Sequence, residues 1–252
     1  MSLKIALQFN HQQYEADLHQ PLDLSIPLEA GPGHVQAWYV EPIRIEPVRM
    51  GDWVGEVKQG ASVNFRNIFF NPHGHGTHTE CVGHISKEDY SINKSLKNYF
   101  DFAQLISIEL KVVNDDLIIS REAIKKVMND NVEAIIIRTL PNANDKLTKN
   151  YSSSNPPYLD VDAAAFLCEK KIKHLLLDLP SVDREQDGGK LVAHHAFWNY
   201  PNSTRIDATI TEMVFIPDTI LDGIYLLNLQ TAPFENDATP SRPVLFDLKL
   251  IS

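Results

Sequence analysis

The sequence predicts an α/β protein: a mixed sheet with flanking helices and a strand-rich N-terminal third. Two observations lead there. Leu105 to Asp183 reads as strand, helix, strand, helix, strand, the alternation that builds a partly parallel sheet. The first 70 residues instead hold short β-branched and aromatic runs broken by Pro and Gly, the pattern of short edge strands. With 252 residues the chain can bury one large core. The pattern changes near residue 100 without a linker, so 1–252 is read as one domain.

In order along the chain, "LKIALQF" alternates Leu3, Ile5 and Leu7 and reads as an edge strand. "DLSIPLEAGPGH" ends in a Gly-Pro-Gly turn, and "QAWYVEPIRIEPVRM" suits irregular strands interrupted by proline. "LISIEL" alternates as a half-buried strand. "SREAIKKVMNDN" places Ala123, Ile124, Val127 and Met128 at helical spacing behind a Ser120 cap. "EAIIIRT" is a continuous apolar run, as in a strand covered on both faces. Asp160 caps a helix through "VDAAAFLCEKKI", and "KHLLLDLPSVD" is a buried strand ending in a turn. "GIYLLNL" and "SRPVLFDLKLI" close the chain as strands.

A formal charge of -10 argues against a nucleic-acid partner, which needs a basic face. The apolar runs fall short of the roughly 20 residues that cross a membrane, so no membrane partner is expected. Two cysteines, Cys81 and Cys168, form no CxxC pair. With a start lacking a signal-like apolar stretch, they give a cytoplasmic expectation.

The chemistry concentrates in "NPHGHGTHTECVGH", Asn71 to His84, which holds four histidines and one glutamate in fourteen residues. His78 and Glu80 stand at i and i+2, so on a strand both point to one face. Gly74 and Gly76 are expected to let the backbone come close to an ion or substrate. Imidazole with carboxylate suits Zn, Mn or Fe better than Ca or Mg. The bland alternative is a solvated, turn-forming loop. Cys81 would face away from Glu80 on a strand and reads as core. Glu212 lies in the otherwise apolar "ATITEMVFI", where a carboxylate requires a cation or a donor. His194 and His195 are adjacent, so on extended chain only one can face a site. Trp38, Trp53, Phe65 and Trp198 are candidate aromatics for an aryl substrate, with core packing their ordinary role.

"GTHTECVGH" resembles the metal-binding motif H-x-G-T-H-x-D-x-P-x-H of the cyclase family of metal-dependent hydrolases, which includes bacterial kynurenine formamidases. Gly76, Thr77, His78 and His84 match in register, Glu80 replaces Asp and Val82 replaces Pro. Gly74 occupies the register position of the first histidine, so His73, through a one-residue bulge, or His75 would supply that ligand; His73 is preferred. "DLSIPLEAGP", "AIIIRT", "DLPSVD", "HHAFW" and "ITEMVF" resemble further family segments in the same order.

The resemblance implies a swivelling β/β/α type of fold and one or two ions, Zn2+ or Mn2+. The implied metal ligands are His73, His78, Glu80, His194 (or His195) and Glu212, with His84 as the catalytic acid/base. It implies hydrolysis of a small amide, with N-formylkynurenine of tryptophan catabolism as lead substrate. The alternatives are a cyclic, isatin-type amide and a non-catalytic metal- or ligand-binding protein. A homodimer or homotetramer is expected from the family and from edge strands.

Overall fold

The computed structural model describes residues 2–129 and 131–251. Its frame is a mixed sheet of seven strands closed into a barrel. They run in the order Gly223–Thr231, Phe100–Glu109, Ala134–Leu140, His174–Leu177, Thr209–Glu212, His78–Glu80, Ala238–Asp247, and back to Gly223–Thr231. The strand–helix alternation gives the parallel part: Phe100–Glu109, Ala134–Leu140, His174–Leu177 and Thr209–Glu212 run side by side in one direction. The expected mixed sheet is therefore present but closed on itself. The reason lies in the last two long strands. They pair with each other, and each also takes one free edge, Gly223–Thr231 on Phe100–Glu109 and Ala238–Asp247 on His78–Glu80.

Period-two alternation divides the barrel residues between two cores. Ala103, Leu105, Ala134, Ile136, Leu176, Leu227 and Leu245 form the inner one. The alternate residues Ile106, Ile135, Ile137, Leu175, Leu177 and Ile210 pack outward under the helices, against Phe166, Leu167, Phe197 and Trp198. The apolar run "AIIIRT" is continuous because both of its faces are covered, and all four residues Ala134–Ile137 are 0% exposed.

Two helices begin where the sequence marks them, by differing means. Ser120 Oγ accepts from the Ala123 amide at 3.3 Å ahead of Arg121–Val127. Asp160 occupies the cap position of Val161–Glu169, but its side chain makes no capping bond; its backbone carbonyl starts the helix. "VAHHAFW" is helix Val192–Trp198, where an extended segment was expected. The N-terminal third holds the hairpin Lys4–Phe9/Gln12–Asp17 and short ribbons, including Arg44–Pro47 with Arg66–Phe69. Among the described residues no helix is long and apolar enough to cross a membrane.

Several matched motifs turn out to be clasps. Arg138 donates to Ser107, Asp222 and the carbonyls of Pro217 and Ile220. Thr139 and Lys146 both bond the buried Asp178. Thr77 Oγ1 donates to the Met213 carbonyl at 2.6 Å and accepts the Ile26 amide at 2.8 Å, joining three distant segments just before His78. Thr77→Val keeps the shape but orphans both partners, at a cost of about 2 kcal/mol. Thermal unfolding should show a Tm lower by several degrees; an unchanged Tm would contradict the clasp.

Candidate metal centre

The site is built outward from strand His78–Glu80, on the barrel's helix-covered side. His78 pairs in register with Glu212, and Glu80 with Ile210. Cross-strand partners share a face, so the register alone brings His78, Glu80 and Glu212 together. His78 Nε2 lies 3.3 Å from Glu212 Oε2. Glu212 Oε1 accepts the Val182 amide at 3.0 Å, which fixes the carboxylate.

His73 enters from a turn in which Asn71 Oδ1 accepts the amides of His73 and Gly74. Its Nδ1 is 3.1 Å from Glu80 Oε2. Gly74 is packed against the protein itself. Its carbonyl bonds the Ala37 amide, and a Cβ there would stand 2.7 Å from Val40, so the register position of the first histidine has no room for a side chain. Gly76 likewise has φ +62 with Leu28 against it. His75 is spent elsewhere: Nδ1 accepts the Asn71 amide and Nε2 faces the Glu41 carbonyl at 2.9 Å.

His194 comes from helix Val192–Trp198. Asp183 accepts the Ala193 and His194 amides at the start of that helix and takes His194 Nδ1 at 2.6 Å. This leaves His194 Nε2 facing Glu80 Oε1 at 3.1 Å and Glu212 Oε1 at 4.0 Å. A helix turns about 100° per residue. His195 therefore points away, its Nδ1 toward the Tyr200 carbonyl.

His84 lies in the short turn Val82–His84, with Nε2 3.9 Å from Glu80 Oε2 and its ring 4.2 Å from that of His73. Two participants escape the sequence reading. Asp183 stands in "DLPSVD", and an acid eleven residues before a histidine pair was the available signal. Asp237, 2.8 Å from His73 Nε2 and 3.4 Å from His84 Nδ1, precedes the Ala238–Asp247 strand and becomes visible only once the barrel closes. Cys81 is fully buried in the inner core.

Burial acts against the charged ring of His73, but the neighbouring Asp237 and Glu80 carboxylates outweigh it and push the ring up to about 10. His194 is likewise pushed up to about 10, with burial outweighed by Asp183 and Glu80. Burial would raise Glu80; His84, His194 and His73 instead hold its carboxyl well below the usual range.

His73, His78 and Glu80 form one group whose ligand atoms lie within 4.8 Å of one another, and Glu80, His84 and His194 form another. The residues fit an ion for a further reason. His78 Nε2 and Glu80 Oε2 are buried, face the cluster and have no hydrogen-bond partner. Such atoms are costly to bury unless something binds them. The outer nitrogens of His73, His78 and His194 face Asp237, the Gly76 carbonyl and Asp183, as metal-bound imidazoles require.

A cleft of about 480 Å³ opens above the cluster. Trp38, Val40 and Leu191 give it apolar walls beside Arg184 and the histidines. Trp38 lines the cleft while packing against the small core of Ile26, Val35, Ala37, Tyr151 and Met213; Trp198 is fully buried, and Phe65 is exposed beside Trp53.

The family model described as "Putative cyclase" matches residues 22–184. A kynurenine formamidase of Bacillus thuringiensis (strain Al Hakam) is 28% identical over 190 residues, covering 75% of this chain and 82% of that protein. One from Bacillus anthracis is 27% identical over the same shares. Among solved structures, one described as a predicted metal-dependent hydrolase from Bacillus stearothermophilus superposes with TM-score 0.63 at 19% identity, covering 90% of this chain and 98% of that one. An isatin hydrolase bound to the product analogue thioisatinate gives TM-score 0.63 at 16% identity over 91% and 93%.

Metal loading should compete with protons. His73 and His194, pushed up to about 10, hold protons at neutral pH until an ion takes their lone pairs. Affinity should therefore rise from pH 6 toward 9, with proton release read by calorimetry in buffers of different ionisation enthalpy. His78→Ala should lose most of the bound metal. Binding that ignores pH and buffer would contradict this arrangement.

Proposed function

The chain belongs to the cyclase family, and from that premise we propose that it is a metal-dependent hydrolase cleaving the C–N bond of a small amide. One observation supports this above all: His78 Nε2 and Glu80 Oε2 are buried without a hydrogen-bond partner, in a cluster whose His73, His84, His194 and Glu212 line an aryl-sized cleft. His73, His78, Glu80, His194 and Glu212 would hold one or two ions, with Zn2+ or Mn2+ matching the donor set. A bound ion supplies carbonyl polarisation and a more acidic water.

The side chains supply the rest. His84 lines the cleft with its Nε2 turned toward Glu80, placed to move a proton between water and the scissile nitrogen. As the water oxygen bonds to the carbonyl carbon, His84 Nε2 takes the water's proton. As the C–N bond breaks, the electron pair goes to nitrogen, which takes that proton back. The acid keeps the water oxygen and the amine leaves. Trp38, Val40 and Leu191 would hold an aryl ring and exclude solvent.

The relatives at 27–28% identity make an aryl formamide the first substrate to test, with N-formylkynurenine giving formate and kynurenine. Turnover should depend on added Zn2+ or Mn2+. Faster turnover of cyclic aryl amides would move the substrate to lactams and keep the chemistry. Metal-loaded protein that cleaves neither class would sink the hydrolase reading. His84→Ala should retain metal and lose about two to four orders of magnitude in kcat. Loss of metal in that variant would instead make His84 a ligand.

A further inference from the structure

Asp237 sits between two of the histidines just described, and its geometry is more specific than a general negative charge. One oxygen, Oδ2, lies 2.8 Å from His73 Nε2 and 3.4 Å from His84 Nδ1. The two rings lie side by side, centroids 4.2 Å apart and planes 30° apart, so one acceptor reaches an edge of each. Their opposite edges face a single oxygen of the other carboxylate: Glu80 Oε2 is 3.1 Å from His73 Nδ1 and 3.9 Å from His84 Nε2. Both imidazoles thus bridge from Asp237 outside to Glu80 inside. Glu80 Oε2 has no hydrogen-bond partner, so the inner edges are not already saturated by it.

The position of Asp237 is built. Its carbonyl accepts the Cys81 amide at 3.0 Å, the Asn236 carbonyl accepts the Ile92 amide at 2.8 Å, and Ala238 pairs in register with Glu80. Gly83 opens the space: a Cβ there would stand 3.1 Å from Asp237 Cβ and 2.2 Å from the Tyr90 carbonyl oxygen. A neutral imidazole carries one N–H and one lone pair, and whichever nitrogen donates determines where the lone pair points.

We propose that Asp237 is a positioning residue that sets the tautomers of two histidines at once, accepting Nε2–H from His73 and Nδ1–H from His84 so that both lone pairs point into the site. For His73 the lone pair on Nδ1 is the one an ion would take. For His84 the lone pair on Nε2 is the one that accepts a proton. One carboxylate therefore prepares a ligand and a base together. The His84 half rests on the hydrolase reading; the His73 half does not.

The test uses zinc-loaded full-length protein labelled with 15N in histidine, comparing wild type, Asp237→Asn and Asp237→Glu. Long-range proton–nitrogen spectra should show wild-type His73 protonated at Nε2 and His84 at Nδ1. In Asp237→Asn the amide can rotate to donate, and this pattern should be lost. Zinc affinity, read by chelator competition, should fall about 10–100-fold. On the best substrate found, kcat should fall about 100-fold with KM changed less than about threefold. Asp237→Glu, which keeps an acceptor, is the folding control and should recover zinc affinity to within about fivefold of wild type. Opposite tautomers in the wild type would overturn the proposal, as would a Glu variant as weak as the Asn variant. Unchanged tautomers and zinc affinity in Asp237→Asn would do the same. If the tautomer and zinc effects appear but no amide is cleaved, the positioning role stands and the hydrolase reading falls.

Discussion

Glu80 has no solvent exposure, and the site depends on how its charge is met. Burying a lone carboxylate costs several kcal/mol, and removing a partner from a buried pair leaves that cost uncompensated. Around Glu80 stand the imidazoles of His73, His84 and His194, brought by a turn, a short helical turn and a distant helix. Each imidazole then meets a second carboxylate, Asp237 for the first two and Asp183 for the third. Alternating acids and imidazoles account for the opposed pKa movements: carboxyls held low, His73 and His194 pushed up.

The barrel delivers these groups because strand His78–Glu80 is hydrogen-bonded on both sides. One neighbour contributes Glu212, directly opposite His78. The other begins at Ala238, opposite Glu80, and so carries Asp237 beside the histidines. Closure of the sheet is thus a condition for the site. Thr77, clasped to Met213 and Ile26, holds the chain as it enters the strand. A catalytic constellation held by a barrel strand and a packed helix is better preorganised than one on loops.

The legible part of the sequence is the part with a local hydrophobic pattern. Continuous apolar runs marked Ala134–Leu140 and His174–Leu177, and i, i+2 spacing put His78 and Glu80 on one face. Glu212 was legible because a carboxylate in an apolar run must be compensated. Residues whose partners come from long-range closure were hidden. Asp237 is separated from His73 by 164 positions and belongs to no pattern. The helical conformation of "HHAFW" is hidden in the sequence because consecutive histidines carry no periodicity. Its helix begins where Asp183 collects two free amides, an interaction reaching ten and eleven residues along the chain. The glycines of the histidine stretch stand where the backbone packs closely on Val40 and Leu28, partners that the residues alone do not name.

The central claim is that side chains from three separated segments share one ion-binding centre. A crystal structure of zinc-loaded protein with anomalous diffraction at the zinc edge tests it most directly. The account predicts an anomalous peak with His78 Nε2, a Glu80 oxygen, His194 Nε2 and a Glu212 oxygen among the ligands to one or two ions, at about 2.0–2.2 Å. A peak held only by residues 73–84, with Glu212 and His194 outside bonding distance of every ion, would contradict it.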